Sequence, residues 1–172
     1  MSYKKIIGLL LFVFTSIICG IMIYDVNRRI PAPKKYIYTH SNPCKIDGVK
    51  FVPLETVVYS YDELKEEYPD FKPMIVKDMP KEARYVVYKI RVMNASPDIK
   101  SFYPVYFEAA DCKTGWSNGL EPRFSFNVKT VLKGYETIDL ELIAFNIKGD
   151  FSDDLAIAMS YYPDYRIMKF KD

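Results

Sequence analysis

The sequence predicts an all-β fold: an antiparallel β-sandwich of about seven to nine strands with one short helix, preceded by a single N-terminal transmembrane helix. Three observations lead to this prediction. An uncharged apolar stretch of 19 residues lies near the N-terminus. Beyond it, short segments rich in Val, Ile, Tyr and Phe recur about every ten residues, with turn residues between them. The chain has 172 residues, of which 49% are hydrophobic, and this is enough for one domain with a true core.

The apolar stretch is residues 6–24, which as a helix is about 28 Å long and matches the hydrocarbon thickness of a membrane. Residues 1–5 form a short tail, and residues 25–35 read as an extended juxtamembrane linker. A cleaved signal peptide is the alternative. The length of the stretch and the absence of an Ala-x-Ala-like cleavage site favour a retained anchor.

The flanking charges bear on orientation. The tail is short and carries Lys4 and Lys5, like an uncleaved export signal, whereas Arg28 and Arg29 on the other side favour a cytoplasmic domain. We give more weight to the short basic tail. The sequence therefore predicts a single-pass protein of the cell membrane with its C-terminal domain outside the cytoplasm.

The charge distribution argues against nucleic-acid binding. Residues 1–35 carry six basic and one acidic side chain, a net charge of +5, and the whole chain carries +2. The predicted domain, residues 36–172, therefore has a net charge of −3. Phosphate neutralisation requires clustered Lys and Arg, and the domain has no basic run.

Local patterns predict the individual elements. The clearest strand is 83–94, in which Val86, Tyr88, Ile90 and Val92 alternate with a second set and form the better core face. Ser60 and Glu63 form a capping box, which predicts a helix of about two turns ending before residue 69. Residues 111–119 read as a loop. The other predicted strands are 36–39, 49–52, 55–60, 102–110, 123–131, 137–145, 155–162 and 165–170.

Two stretches resemble a known family. Residues 86–94 carry the pattern V-x-x-K-I-x-V-x-N, and Leu132 to Glu136 lead into the strand that ends at Phe145, as in an L-x-x-G-E … L-x-F segment. Both are similar to immunoglobulin-like (telokin-like) extracellular domains of Gram-positive bacteria. Tyr135 between Gly134 and Glu136 departs from the pattern. The resemblance covers about residues 83–162, implies a fold and a cellular address, and supplies no catalytic residues.

Two cysteines lie outside the membrane stretch, Cys44 and Cys112. In an exported domain of this size they can form one disulfide, which on the chain-entropy model contributes about 4 kcal/mol. The alternative is a pair of reduced, buried thiols. The sequence leaves the two readings nearly even.

The sequence offers few residues that could act in catalysis or bind a metal. His40 stands alone in a loop, and the cysteines are too few and too far apart for a zinc site. Acidic side chains recur at Glu108 and Asp111 and at Asp150, Asp153 and Asp154, and paired acids can hydrolyse glycosides or bind calcium. The second group lies in a polar loop between strands, lacks the ligand spacing of a calcium loop, and is better interpreted as a solvated turn. The sequence predicts no catalytic residue, metal or cofactor.

Trp116, Tyr161, Tyr162 and Tyr165 are the candidate contact residues, because Tyr and Trp bury large areas with few rotatable bonds. Cross-strand packing is the competing role for each ring.

These features together favour a membrane-tethered binding module for a protein or a cell-envelope component. Two alternatives remain. One is a regulatory or sensory subunit that contacts other membrane helices through the small Ser16 and Gly20. The other is an envelope glycan hydrolase that uses two carboxylates.

Overall fold

The structure is a computed structural model that describes residues 3–30, 32–70, 80–120, 130–161 and 163–171. The chain divides into two compact units, residues 1–34 and 35–172. The predicted strand 123–131 lies almost wholly outside the described residues, and so does Tyr162.

The N-terminal unit is the helix α1, Tyr3–Arg29. Within it, Lys5–Arg29 is long enough and apolar enough to cross a membrane, and none of its most apolar window is buried. The helix continues through residues 25–29, which were predicted as extended linker, because no helix-breaking residue precedes Pro31. Arg29 forms an ion pair with Asp25 one turn earlier, at 2.7 Å.

The second unit is a β-sandwich of two main sheets. One sheet has the strand order β1-β11-β10-β6-β7 and the other β2-β3-β4-β9, while β5 and β8 form a small third sheet. The pairs with a defined register are antiparallel: β2–β3, β3–β4, β4–β9, β5–β8, β6–β7, β6–β10 and β10–β11. The strands are β1 Lys34–Tyr38, β2 Cys44–Ile46, β3 Val49–Tyr59, β4 Arg84–Asn94, β5 Lys100–Ser101, β6 Glu108–Asp111, β7 Ser117–Gly119, β8 Val131–Leu132, β9 Thr137–Asn146, β10 Leu155–Ser160 and β11 Asp164–Lys169.

The main core lies between the two large sheets, as the alternation in β4 predicts. Val86, Tyr88, Ile90 and Val92 are fully buried in it, and they meet Ile157 of the opposite sheet within one hydrophobic cluster. Each fully buried aliphatic side chain of this kind contributes about 1.5–3 kcal/mol. The predicted inner face of β4 is therefore confirmed.

The opposite face of the β4 sheet is covered by the helix α2, Tyr61–Glu67. Leu64 of α2 is fully buried against Tyr85, Val87 and Ile143. The predicted capping box is present: Ser60 accepts from the Glu63 amide at 3.3 Å, and the Glu63 carboxylate accepts from the Ser60 amide at 2.7 Å.

Several strand boundaries differ from the prediction. Segments 49–52 and 55–60 are one strand, β3, whose pairing with β4 shifts register between Pro53 and Glu55. The predicted strand 102–110 is interrupted because Pro104 begins a 3₁₀ turn, Pro104–Tyr106, and only Glu108–Asp111 remains a strand. Within the predicted loop 111–119, Ser117–Gly119 pairs with β6. The described residues thus hold eleven strands, more than the predicted seven to nine, and the additional ones are two or three residues long.

The turn between β2 and β3 fixes the position of one acidic side chain. The turn consists of Asp47 and Gly48, and both residues have positive φ angles, of 50° and 86°. Asp-Gly is a preferred sequence for this two-residue hairpin, because both central residues must adopt the left-handed conformation.

Candidate ligand-binding pocket

The predicted contact residues separate into two groups. Tyr161 and Tyr165 stack, with ring centroids 5.4 Å apart and an interplanar angle of 16°. The Tyr161 hydroxyl donates to the Glu108 carboxylate, and burial together with that carboxylate raises the pKa of Tyr161. The phenol therefore remains protonated at neutral pH.

Trp116 forms the second group and packs against the main core. Its ring packs edge-to-face on Phe151 at 5.0 Å and is half-buried against the main core. Its carbonyl accepts from the Asp111 amide, at the end of β6 opposite the Glu108 that holds Tyr161. Trp116 and the stacked tyrosines are therefore separated by the length of β6, about 10 Å.

The two cysteines are free thiols in the structure, which gives no support to a Cys44–Cys112 bridge. Cys44 is fully buried in the core, beside Tyr38, and burial raises the pKa of its thiol to about 11. Cys112 is exposed, and partial burial of its sulfur raises its pKa as well.

Asp111 is the one buried carboxylate among the described residues, and it serves as a structural anchor. It accepts from the Ser152 hydroxyl at 2.6 Å, from the Ser152 amide at 2.7 Å, and from the amides of Lys113 and Thr114 at 3.0 and 3.1 Å. Burial alone raises the pKa of Asp111, but these donors outweigh it and lower the pKa to about 2. The carboxylate joins two loops and has no free oxygen for catalysis.

Three of the four other candidate acids are also engaged within the described residues, whereas Asp150 accepts from the Asn146 side-chain amide, at 3.0 Å, through its backbone carbonyl only. Glu108 accepts from Tyr161, while Asp154 and Asp153 form ion pairs with Lys169 at 2.8 Å and with Lys171 at 3.7 Å. His40 lies 3.2 Å from the Pro53 carbonyl through its Nδ1 atom. Among the described residues, no group of three or more His, Cys, Asp and Glu side chains is arranged to hold a metal ion.

A pocket of about 310 Å³ opens at one end of the sandwich, between the β2–β3 hairpin, the 3₁₀ turn and the β10–β11 hairpin. This volume lies at the lower end of the range for small-molecule sites. It is lined by Ile46, Asp47, Val49, Phe51, Ser101, Phe102, Tyr103, Tyr106, Phe107, Met159, Ser160 and Arg166. We refer to it as the aromatic pocket.

The floor of the aromatic pocket is rigid. Phe51 packs edge-to-face against both Phe102 and Phe107, with ring centroids 5.7 Å apart in each pair. All three phenylalanines are buried. Such interlocked rings are held by the core on their far side, so the floor is preformed.

The rim presents two tyrosines to solvent. Tyr103 and Tyr106 form an edge-to-face pair with centroids 6.2 Å apart, and they are 58% and 75% exposed. Exposed Tyr rings beside an apolar cavity can bury area on a ligand and lose little rotamer freedom. This arrangement is what a binding site for a small, partly apolar group requires.

Two charged side chains also line the aromatic pocket. The Arg166 guanidinium forms an ion pair with Asp164 at 2.9 Å and lies beside the Tyr38 hydroxyl. Asp47, on the β2–β3 turn, forms no ion pair within the described part of the chain. The lining therefore carries one neutralised cation and one carboxylate open to a ligand.

The sequence predictions missed the aromatic pocket. Its residues come from four separate segments, and no local pattern indicates that these segments meet. One signal was available in the run 102–107, where four aromatic side chains surround a proline. An amphipathic strand would alternate, whereas this run places Tyr103 and Tyr106 outward and Phe102 and Phe107 inward around the 3₁₀ turn.

Comparisons with known proteins give a likeness in structure alone. No family model matches the chain, and no curated protein matches it in sequence. One similar solved structure is an uncharacterized beta-sandwich protein from Clostridium difficile, with 12% identity, a TM-score of 0.48, and coverage of 81% of this chain and 96% of that one. Another is the yjhA protein from Bacillus subtilis, with 12% identity, a TM-score of 0.48, and coverage of 78% and 99%. At this level of similarity neither protein assigns a function to the chain.

Proposed function

We propose that this protein is a membrane-tethered, non-enzymatic binding module outside the cytoplasm, and that the aromatic pocket is its ligand site. The observation that carries the proposal is the preformed floor of buried phenylalanines beneath two exposed tyrosines. Adjacent exposed rings that border an apolar cavity are the kind of surface that marks a ligand-binding groove.

The order of strands supports an immunoglobulin-like topology. In the smaller sheet, β3-β4-β9 corresponds in chain order and position to strands A, B and E of that fold. In the larger sheet, β11-β10-β6-β7 corresponds to G, F, C and C′. Loops at the ends of such sandwiches commonly carry binding sites, and the aromatic pocket lies at one end.

The helix α1 supports the membrane tether. Its apolar side chains are exposed along the whole window that is long enough to cross a bilayer, which is the surface that lipid requires.

The location can be tested with the protein's own cysteines. Cys112 is exposed, whereas Cys44 is buried. In protoplasts that produce the full chain, a membrane-impermeant maleimide should label wild type at pH 8 and should label Cys112→Ser far less. Labelling that appears only after lysis would place the domain in the cytoplasm and contradict the proposal.

The pocket can be tested with a variant that fills it. Ser101 lines the pocket and is exposed, so Ser101→Trp should block the cavity without burying a new side chain. Ser117→Trp is the matched control, at an exposed position on β7. A mixed-charge library of small molecules is screened against the full chain in maltoside micelles by amide NMR. Ligands should shift the amide signals of Tyr106 and Phe107 in wild type and in Ser117→Trp, but not in Ser101→Trp. Ligands that bind all three proteins equally would refute a role for the pocket.

A further inference from the structure

The charge balance of the aromatic pocket indicates which ligands it accepts. Arg166 is the cation in the lining, and its charge is compensated by Asp164 at 2.9 Å. Asp47 is the acid in the lining, and it has no ion-pair partner among the described residues. Within the described part of the chain, the Asp47 charge is therefore not neutralised by a direct ion pair.

The rings of the aromatic pocket add to this preference. Three phenylalanines and two tyrosines line it, and each aromatic face carries partial negative charge. A cation that lies over such a face gains about 0.5–1 kcal/mol at an exposed site and more when it is desolvated. An anion is repelled by the same faces and by Asp47.

Lys100 is a charged side chain outside the lining that lies next to the β2–β3 turn. Its Nζ lies 3.8 Å from the position that a Cβ would occupy on Gly48, next to Asp47 in the β2–β3 turn. It is close enough to offset part of the Asp47 charge in the free protein, although it makes no ion pair with it. A cationic ligand would have to compete with Lys100.

We infer that the aromatic pocket binds a small organic cation, an alkylated ammonium group on an uncharged body. This inference rests on the proposed function, since it names the ligand class of the same pocket. The ammonium would lie over Tyr103 or Tyr106 near the Asp47 carboxylate, and the uncharged body would contact the phenylalanine floor.

The test uses three probes of similar shape and different charge: choline, its neutral carbon isostere 3,3-dimethylbutan-1-ol, and the anion 3,3-dimethylbutanoate. Their binding to the full chain in maltoside micelles is followed by the amide signals of Tyr106 and Phe107. A fourth probe, N-acetyl-lysine methylamide, presents an ammonium as a peptide would and distinguishes a free from a peptide-borne cation.

Asp47→Asn removes the charge and keeps the turn. Asn tolerates the positive φ angle of this position at least as well as Asp, and Asn-Gly is a preferred turn of this type. Unfolding followed by Trp116 fluorescence should match wild type. Tyr106→Ala is the second variant, because the side chain is 75% exposed and its loss should leave the core intact.

Choline should bind about five-fold more tightly than its neutral isostere. The substitutions Asp47→Asn and Tyr106→Ala should each weaken the binding of choline about two- to five-fold. Lys100→Gln should strengthen it about two-fold, since a competing cation is removed.

Two outcomes separate the inference from the proposed function. The neutral or the anionic probe could bind the pocket as tightly as the cationic probes, or other library ligands could bind there while no cation does. In either case the proposed ligand class is wrong, and the pocket remains a binding site. If neither the probes nor the library shift the pocket signals, both the inference and the proposed function are overturned.

Discussion

Asp111 offers a quantitative test of how the domain is held together. Its buried carboxylate accepts four hydrogen bonds from Ser152, Lys113 and Thr114 and so ties the loop after β6 to the loop before β10. Asp111→Asn removes the charge and one acceptor oxygen, and it turns an amide group toward donors. A buried donor that loses its acceptor costs about 1–3 kcal/mol.

The contribution of the ionised Asp111 carboxylate to the free energy of unfolding follows from its pKa. Lowering the pKa of Asp111 from 3.8 to about 2 means that the native state favours the ionised form by about 2.5 kcal/mol, at about 1.4 kcal/mol per pH unit. The native pKa lies below the unfolded one, so this stability is fully present above about pH 4. It is lost as the pH falls through about 2. We therefore expect Asp111→Asn to lower the free energy of unfolding by about 2–3 kcal/mol at pH 7 and by much less near pH 2.

The assay is urea unfolding of the full chain in maltoside micelles, followed by the fluorescence of Trp116, the single Trp of the chain. Asp139→Asn is the matched control. Its carboxylate forms an exposed pair with Arg91 at 2.7 Å, and such pairs contribute about 0–1 kcal/mol. Equal losses for the two variants, or a loss at Asp111 that does not change with pH, would refute the assigned role of the buried carboxylate.

Three further predictions concern the turns, the helix cap and the thiols. A Cβ on Gly134 would lie 2.2 Å from the Pro97 carbonyl oxygen, so Gly134→Ala should lower the free energy of unfolding in urea by more than about 2 kcal/mol. A loss below about 0.5 kcal/mol would contradict the close approach. Ser60→Ala removes the cap of α2 and should cost about 1 kcal/mol by the same measurement, with an unchanged midpoint as the contrary result. Cys112 should react with a maleimide at pH 8 at least about ten-fold faster than Cys44, because Cys44 is buried and its pKa of about 11 keeps it protonated; mass spectrometry of the labelled protein would reveal equal rates if that were wrong.

The sequence was informative where one local signal decides the structure. The β4 pattern predicted both the strand and its inner face, because alternation places residues 86, 88, 90 and 92 on one side whatever the partners are. The α2 cap was predictable for the same reason, since Ser60 and Glu63 satisfy each other's amides within four residues.

Long-range assembly was not predictable in the same way. The run 102–107 has the composition of a strand, but Pro104 favours a 3₁₀ turn, and the turn is what directs Tyr106 outward. Trp116 and the stacked pair Tyr161 and Tyr165 lie at opposite ends of β6, and strand length and register, which no local pattern shows, decide that separation. The aromatic pocket depends on contacts among segments more than 100 residues apart in the chain, from Asp47 to Arg166.

The proposed function requires that the aromatic pocket of this domain binds a ligand outside the cytoplasm. A photoreactive benzoylphenylalanine at position 106, on the pocket rim, tests it in intact protoplasts; position 135, which is 70% exposed against 75% for Tyr106, is the control. We expect an adduct that forms at position 106 on irradiation of intact protoplasts, is absent at position 135, and disappears when Ser101→Trp is added. Identical adducts at the two positions, or no adduct at position 106, would show that the aromatic pocket binds no ligand outside the cytoplasm.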